Sequence, residues 1–169
     1  MSKLRTILKE NRRSDKEKTM KQKITNEAKI IFPSLSANEA FARATAAAFA
    51  AQLNPTFDEL SDIKCAISEA VTNAIVHGYR DTIGEVTLIL KITDDRTLCA
   101  EVRDRGCGIE DVEEALRPLF TTDPENERSG MGFTIIENFM DSLRVKSTLG
   151  RGTRVVMSKK LSPLPRQRG

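Results

Sequence analysis

Residues 68–79 run SEAVTNAIVHGY, the end of a longer apolar repeat in which Leu60, Ile63, Ile67, Val71 and Ala74 recur three or four positions apart. That spacing stacks them on one stripe of a helix and predicts an α-helix from Phe57 to His77 with a single core-facing side. Glu69 and Asn73 are four apart and lie off the stripe, so a carboxylate and a carboxamide share one face. Taken alone, the pair also reads as a solvated pair on a surface helix, which is the commoner situation.

Downstream, two β-branched runs, Glu85 to Ile92 and Leu98 to Arg103, are joined by Asp94-Asp95-Arg96 and predict an antiparallel hairpin. The second run ends on DRGCGI (104–109), where Gly106 and Gly108 let backbone approach a ligand without a Cβ in the way. Asp104 is suited to accept a hydrogen bond from an exocyclic amine such as that of adenine, although a simple turn would use the same residues. From Asp104 to Gly132 the chain carries four glycines, Pro118 and Pro124 with little periodicity, which predicts a long loop of the kind that is usually functional. This loop closes on RSGMGF (128–133), which puts glycines before a helix expected from Phe133 to Met140. Unpaired N–H groups and the positive end of the helix dipole favour phosphate there. Leu143 to Thr148 and Thr153 to Lys159, turned by Leu149-Gly150-Arg151-Gly152, predict a last hairpin.

Upstream, a strand is expected from Lys29 to Phe32. Ser36-x-x-Glu39 then reads as a capping box opening a helix from Ala37 to Leu53, dense in alanine and so able to pack closely. Residues 1–23 hold nine Lys/Arg against three acidic residues, so this segment carries +6 and the remainder −3. The basic excess therefore sits on a polar, aperiodic segment and not on a folded face, which argues against direct nucleic-acid binding. We expect one domain over residues 26–160, a basic extension over 1–25 and a Pro/Arg-rich tail over 161–169. No apolar run is long enough to span a membrane, and no secretory leader is visible. Cys65, Cys99 and Cys107 form no CxxC pattern, so a reducing cytoplasm is expected. The P-loop and the HRD and DFG signatures are absent as well.

Taken in order, Glu69/Asn73, Asp104/Gly106/Gly108, Gly130/Gly132 and Gly152/Thr153 resemble the GHKL ATPases, the family that includes the histidine kinases, over roughly residues 28–160. The stretches 38–49, 68–79 and 118–141 narrow the resemblance to the family's anti-sigma serine kinases. It implies an α+β two-layer sandwich, the Bergerat ATP-binding fold, with helices over a mixed, mostly antiparallel sheet. It also implies that Asp104 and Thr153 hold adenine and that Asn73 holds magnesium against the phosphates. Gly106, Gly108, Thr121, Thr122, Gly130 and Gly132 complete the ATP site. Glu69 would act as general base, Arg128 would neutralise the transferring phosphoryl group, and Glu39 and Arg43 would contact protein partners. Without the resemblance those last two are an i,i+4 surface pair, and His77 reads as structural.

The implied partners are a sporulation sigma factor and an anti-anti-sigma protein phosphorylated on serine, with the chain itself a homodimer. The rival readings are a GHKL module of another signalling system, which would need a phosphoacceptor or transducer domain for which the chain has no room, and a binding module with a decayed site. Since Met20 offers an alternative start, a chain beginning there is expected to bind ATP as tightly as the full chain. Calorimetric titration of the two side by side checks this.

Overall fold

The computed structural model describes residues 22–117 and 132–164. The chain runs β1 (Ile24–Pro33), α1 (Ala37–Ala50), a 3-10 turn (Ala51–Leu53), α2 (Phe57–Thr72), a π-helical turn (Asn73–Gly78), β2 (Glu85–Thr93), β3 (Thr97–Arg103), α3 (Val112–Ala115), α4 (Gly132–Phe139), β4 (Ser142–Thr148) and β5 (Gly152–Lys160). The strands form one sheet in the order β1-β2-β3-β5-β4. Where the resemblance implies a mixed sheet, every ladder among the described residues is antiparallel. The reason lies in the connections: α1 and α2 make two passes between β1 and β2, and β5 is inserted between β3 and β4, the two strands that run the same way.

Alternation along the strands sends Val86, Leu88, Leu90 and Ile92 of β2 to one face, together with Leu98, Ala100 and Val102 of β3 and Val155 and Met157 of β5. All are buried beneath the helices. The stripe of α2 meets that face through Ile63, Ile67 and Val71, none of which has accessible surface. α1 packs alongside α2 through Ala42, Ala46 and Ala50, whose spacing of four and small side chains allow the helices to approach closely. α4 covers α2 on its other flank.

Several boundaries differ from those expected. Ile24 and Thr25 join β1 and not a tail, pairing with the Thr93 end of β2. At the other end Leu161 is 2% exposed, and the Ser162 N–H is taken by Glu59 Oε1 at 2.7 Å. The core gains an apolar side chain and the start of α2 is tied down. The capping box expected at Ser36 is not made, since Ser36 has helical backbone angles and no side-chain cap. A complete capping box stands instead at Thr56/Glu59, opening α2. The helix expected to continue to His77 changes at Asn73 into a π turn, and the loop after Asp104 holds the short α3, capped by Asp111.

On the open face of the sheet, Glu101 is 8% exposed. Arg154 donates to it twice, from Nε at 2.5 Å and from Nη2 at 2.8 Å, and Arg103 donates from Nε. Burial opposes the charge, but the two guanidiniums outweigh it and hold the carboxyl at about 2, against an ordinary 4.5. Glu101→Gln is therefore expected to destabilise the protein by about 1–3 kcal/mol at neutral pH. The half-exposed arginines keep the loss below that of a fully buried pair. A depressed carboxyl contributes fully above its unfolded value of 4.5, and the contribution is lost as pH falls through about 2. The gap in urea midpoint between the two chains should close across that window.

Candidate functional site

A cavity of about 690 Å³ opens between the C-terminal end of α2, the 104–111 turn, the start of α4 and the ends of β3 and β5. It is of the size that takes a small organic ligand. Its floor is apolar, made by Ala70, Ala74, Val102 and Val155.

At one end Asp104 lies at the end of β3, 8% exposed. Its Oδ1 accepts from the Gly106 N–H at 2.9 Å and the Thr153 N–H at 3.2 Å, which ties β3, the glycine turn and β5 together. Among the described residues nothing donates to Oδ2, so a buried acceptor is left for a ligand amine. Burial raises the proton affinity of this carboxyl, and the two backbone N–H groups work against that rise.

The turn itself is held from below. The Cys107 N–H donates to the Gly78 carbonyl at 2.8 Å, and a Cβ on Gly106 would run into that same carbonyl. Tyr79 Oη accepts from the Arg105 N–H at 2.8 Å and donates to the Glu85 carbonyl at 2.6 Å. Gly108 adopts φ 74°, a conformation that favours glycine. Thr153 joins Ser147 Oγ at 2.9 Å, and Ser147 accepts from the Ile109 N–H at 2.7 Å.

At the other end Glu69, Asn73 and Gly132 come together. A Cβ placed on Gly132 would lie 3.2 Å from the Asn73 carboxamide and 3.3 Å from Glu69 Oε2. Glu69 is half-buried, and burial first, then the nearby charge of Glu39, raise its proton affinity. Asn73 is the first residue of the π turn, which also brings His77 and Gly78 to the cavity wall. Such turns often mark functional sites.

The donor set fits a hard cation held jointly with a polyphosphate. Magnesium prefers oxygen, keeps waters and commonly takes one or two protein ligands plus substrate phosphates. Among the described residues no group of three or more His, Cys, Asp or Glu could hold a metal alone, so Asn73 would share it with the ligand.

Among the described residues no helix is long and apolar enough to cross a membrane. Residues 32–159 match the family described as histidine kinase-like ATPase domain. The anti-sigma F factor of Clostridium acetobutylicum is 50% identical over 139 residues, 82% of this chain and 96% of that protein. That of Anoxybacillus flavithermus is 56% identical over 137 residues, 81% of this chain and 94% of the relative. The chain belongs to the anti-sigma F factors, within the histidine kinase-like (GHKL) ATPases. Of solved structures, the RsbU and RsbW domains of a Mycobacterium tuberculosis protein superpose with a TM-score of 0.60 at 22% identity. The match covers 81% of this chain and 32% of that one, and it supports the fold alone.

For this family member, the structure gathers Asn73, Asp104, Gly108, Gly132 and Thr153 around one cavity, with Gly106 in the turn behind it and Glu69 beside Asn73. Glu39 and Arg43 sit outside it on α1, paired at 3.3 Å. Thr121, Thr122, Arg128 and Gly130 lie outside the described residues. Sequence reasoning missed Tyr79 and Ser147, which touch no ligand position but fix the Asp104 turn. A tyrosine directly after the helix-ending His77-Gly78 was the available signal for the first; Ser147 offered none.

Asp104→Asn keeps the size but turns an acceptor into a donor, so ATP affinity should fall by about 1.5–3 kcal/mol in calorimetric titration. Only the ionised carboxyl accepts without a competing proton. Since burial raises its proton affinity, affinity in the unmutated chain should begin to fall at a higher pH than for an exposed aspartate as the solution is acidified. The Asn variant should lack that pH dependence.

Proposed function

We propose that the protein is an ATP-dependent serine kinase that phosphorylates an anti-anti-sigma protein and, with nucleotide bound, sequesters a sporulation sigma factor. One observation carries the reading: a single cavity has at one end a buried Asp104 with one oxygen that takes no donor among the described residues and, at the other, the Asn73 carboxamide and the glycine start of a helix, with the Glu69 carboxylate beside them.

In this reading the adenine amine donates to Asp104 Oδ2 and the ring lies on the apolar floor. Asn73 would hold magnesium together with the phosphates, and the bound ion would supply charge neutralisation. Gly132 starts a helix that faces the phosphates with free N–H groups. Glu69 takes the proton from the partner's serine Oγ as that oxygen bonds to the γ-phosphorus. The bond from that phosphorus to the β–γ bridging oxygen breaks, and ADP leaves. A raised proton affinity suits a base that must accept a proton near neutral pH. Arg128 and the threonines 121 and 122 belong to the same site in this reading, and Glu39 and Arg43 form the surface that receives both partners.

The reading also includes a homodimer and a cytoplasmic setting, where sigma factors act. Incubation with labelled ATP, magnesium and a candidate anti-anti-sigma protein, with the modified residue mapped, tests the whole of it. Absence of serine phosphorylation would overturn it.

Glu69→Gln keeps shape and removes the base, so transfer should drop by about 10² to 10⁴ while ATP and sigma factor still bind. Asn73→Ala should lose magnesium-nucleotide affinity as well as turnover. Near-normal transfer by Glu69→Gln would point to positioning, and not proton removal, as the source of rate.

A further inference from the structure

α1 and α2 are joined by a polar contact that the site described above does not use. Ser68 Oγ, on α2, donates to Glu39 Oε1, on α1, at 2.5 Å. Arg43 Nη1 forms an ion pair with the same Glu39 oxygen at 3.3 Å and donates a long hydrogen bond to Ser68 Oγ at 3.5 Å. Three side chains from two helices thus close a small ring. Glu39, which the sequence placed in a capping box at the start of α1, makes these contacts and no cap.

Two features give the ring a direction. On the outer side the Arg43 side chain is 41% exposed, and its Nε and Nη2 have no partner among the described residues. A guanidinium with one nitrogen anchored and the others free offers an oriented fork to a carboxylate or carbonyl arriving from solvent. On the inner side Ser68 is the immediate neighbour of Glu69, whose carboxylate stands beside Gly132 and Asn73 at the phosphate end of the cavity. The distance from an exposed donor fork to the residue next to the base is therefore one hydrogen bond.

We infer that Ser68 is a positioning residue that holds the partner-receiving pair Glu39/Arg43 in register with Glu69, so that a protein docked on α1 through an acceptor group delivers its serine to the base. This inference rests on the serine-kinase reading above. The apolar packing of α1 on α2 leaves the helices well fixed without the hydroxyl, so the fold does not need it. Ala42, Ala46 and Ala50 already bury that interface. The Glu39–Arg43 pair also survives its loss as an i,i+4 contact, so docking itself persists. What the hydroxyl supplies is the orientation of the pair relative to the next residue of α2, and a small misplacement of a docked substrate slows transfer far more than it weakens binding.

The test compares the full-length unmutated chain, Ser68→Ala and Ser68→Thr, with ATP, magnesium and the anti-anti-sigma protein as phosphoacceptor. For Ser68→Ala we expect kcat to fall by about tenfold or more. KM for the protein substrate should stay within about threefold, ATP affinity should be unchanged, and Tm should fall by no more than the few degrees that loss of one hydrogen bond costs. Ser68→Thr, which restores a hydroxyl, should recover most of the rate.

If the unmutated chain transfers no phosphate, the serine-kinase reading fails and takes the inference with it. If the unmutated chain is active and Ser68→Ala matches it in kcat, Ser68 does not position the reaction. A rise in KM with kcat intact would make Ser68 a docking residue only. A parallel fall in Tm and ATP affinity, or an equal loss in the Ala and Thr variants, would make its role structural. Any of these four results overturns the inference.

Discussion

The rotational setting of α2 governs most of what this molecule can do. A helix that buries Ile63, Ile67 and Val71 against the sheet has no freedom left about its axis, because residues three and four apart share a face and every other side chain follows from the buried stripe. With α1 on one flank and α4 on the other, Glu69 and Asn73 are aimed at the start of α4, where a Cβ would barely fit between them. Each fully buried aliphatic side chain of the stripe is worth about 1.5–3 kcal/mol over its exposed state. The polar pair is therefore oriented by the core, and no contact between its own members is required.

The opposite end of the cavity depends on a buried charge. Asp104 engages one oxygen with two backbone N–H groups and, among the described residues, leaves the other without a donor, a compromise between the cost of burying a carboxylate and the presentation of an acceptor. Segments far apart in the chain make this possible. The π turn supplies the Gly78 carbonyl that anchors Cys107, Tyr79 anchors Arg105, and Ser147 on β4 anchors Ile109. The turn is fastened from both sides, so Asp104 is held at the cavity wall by the protein's own contacts.

Glu39 illustrates how close such choices are. As an N-cap partner it would contribute on the order of 1 kcal/mol. Placed between a serine hydroxyl and an arginine it accepts one charge-assisted hydrogen bond that links two helices and makes an i,i+4 ion pair within its own helix. The same carboxylate then acts at a distance, adding to the proton affinity of Glu69. One surface residue thus takes part in helix packing, in the partner-facing surface and in the electrostatics of the cavity.

The stripe of α2, the β-branched runs Glu85–Ile92 and Leu98–Arg103 and the alanine density of α1 made these elements legible, since each reflects backbone preference and packing in residue type. The glycines at 106, 108 and 132 and the acid at 104 were legible for a similar reason: close backbone approach and a buried acceptor restrict the residues allowed. The antiparallel order β1-β2-β3-β5-β4, the burial of Leu161, the shift from α to π geometry at Asn73, the supporting roles of Tyr79 and Ser147 and the partner of Glu39 were not legible. Most depend on which distant segment comes to lie within hydrogen-bonding or packing distance, as in Tyr79–Arg105, 26 positions apart, Ser68–Glu39, 29 apart, and Ile109–Ser147, 38 apart. The sequence by itself determined which faces are apolar and which glycines and polar residues were candidates for a site. Tertiary structure decided which polar groups found one another, because such bonds differ by only about 1 kcal/mol locally and are settled by the packing that brings their partners together.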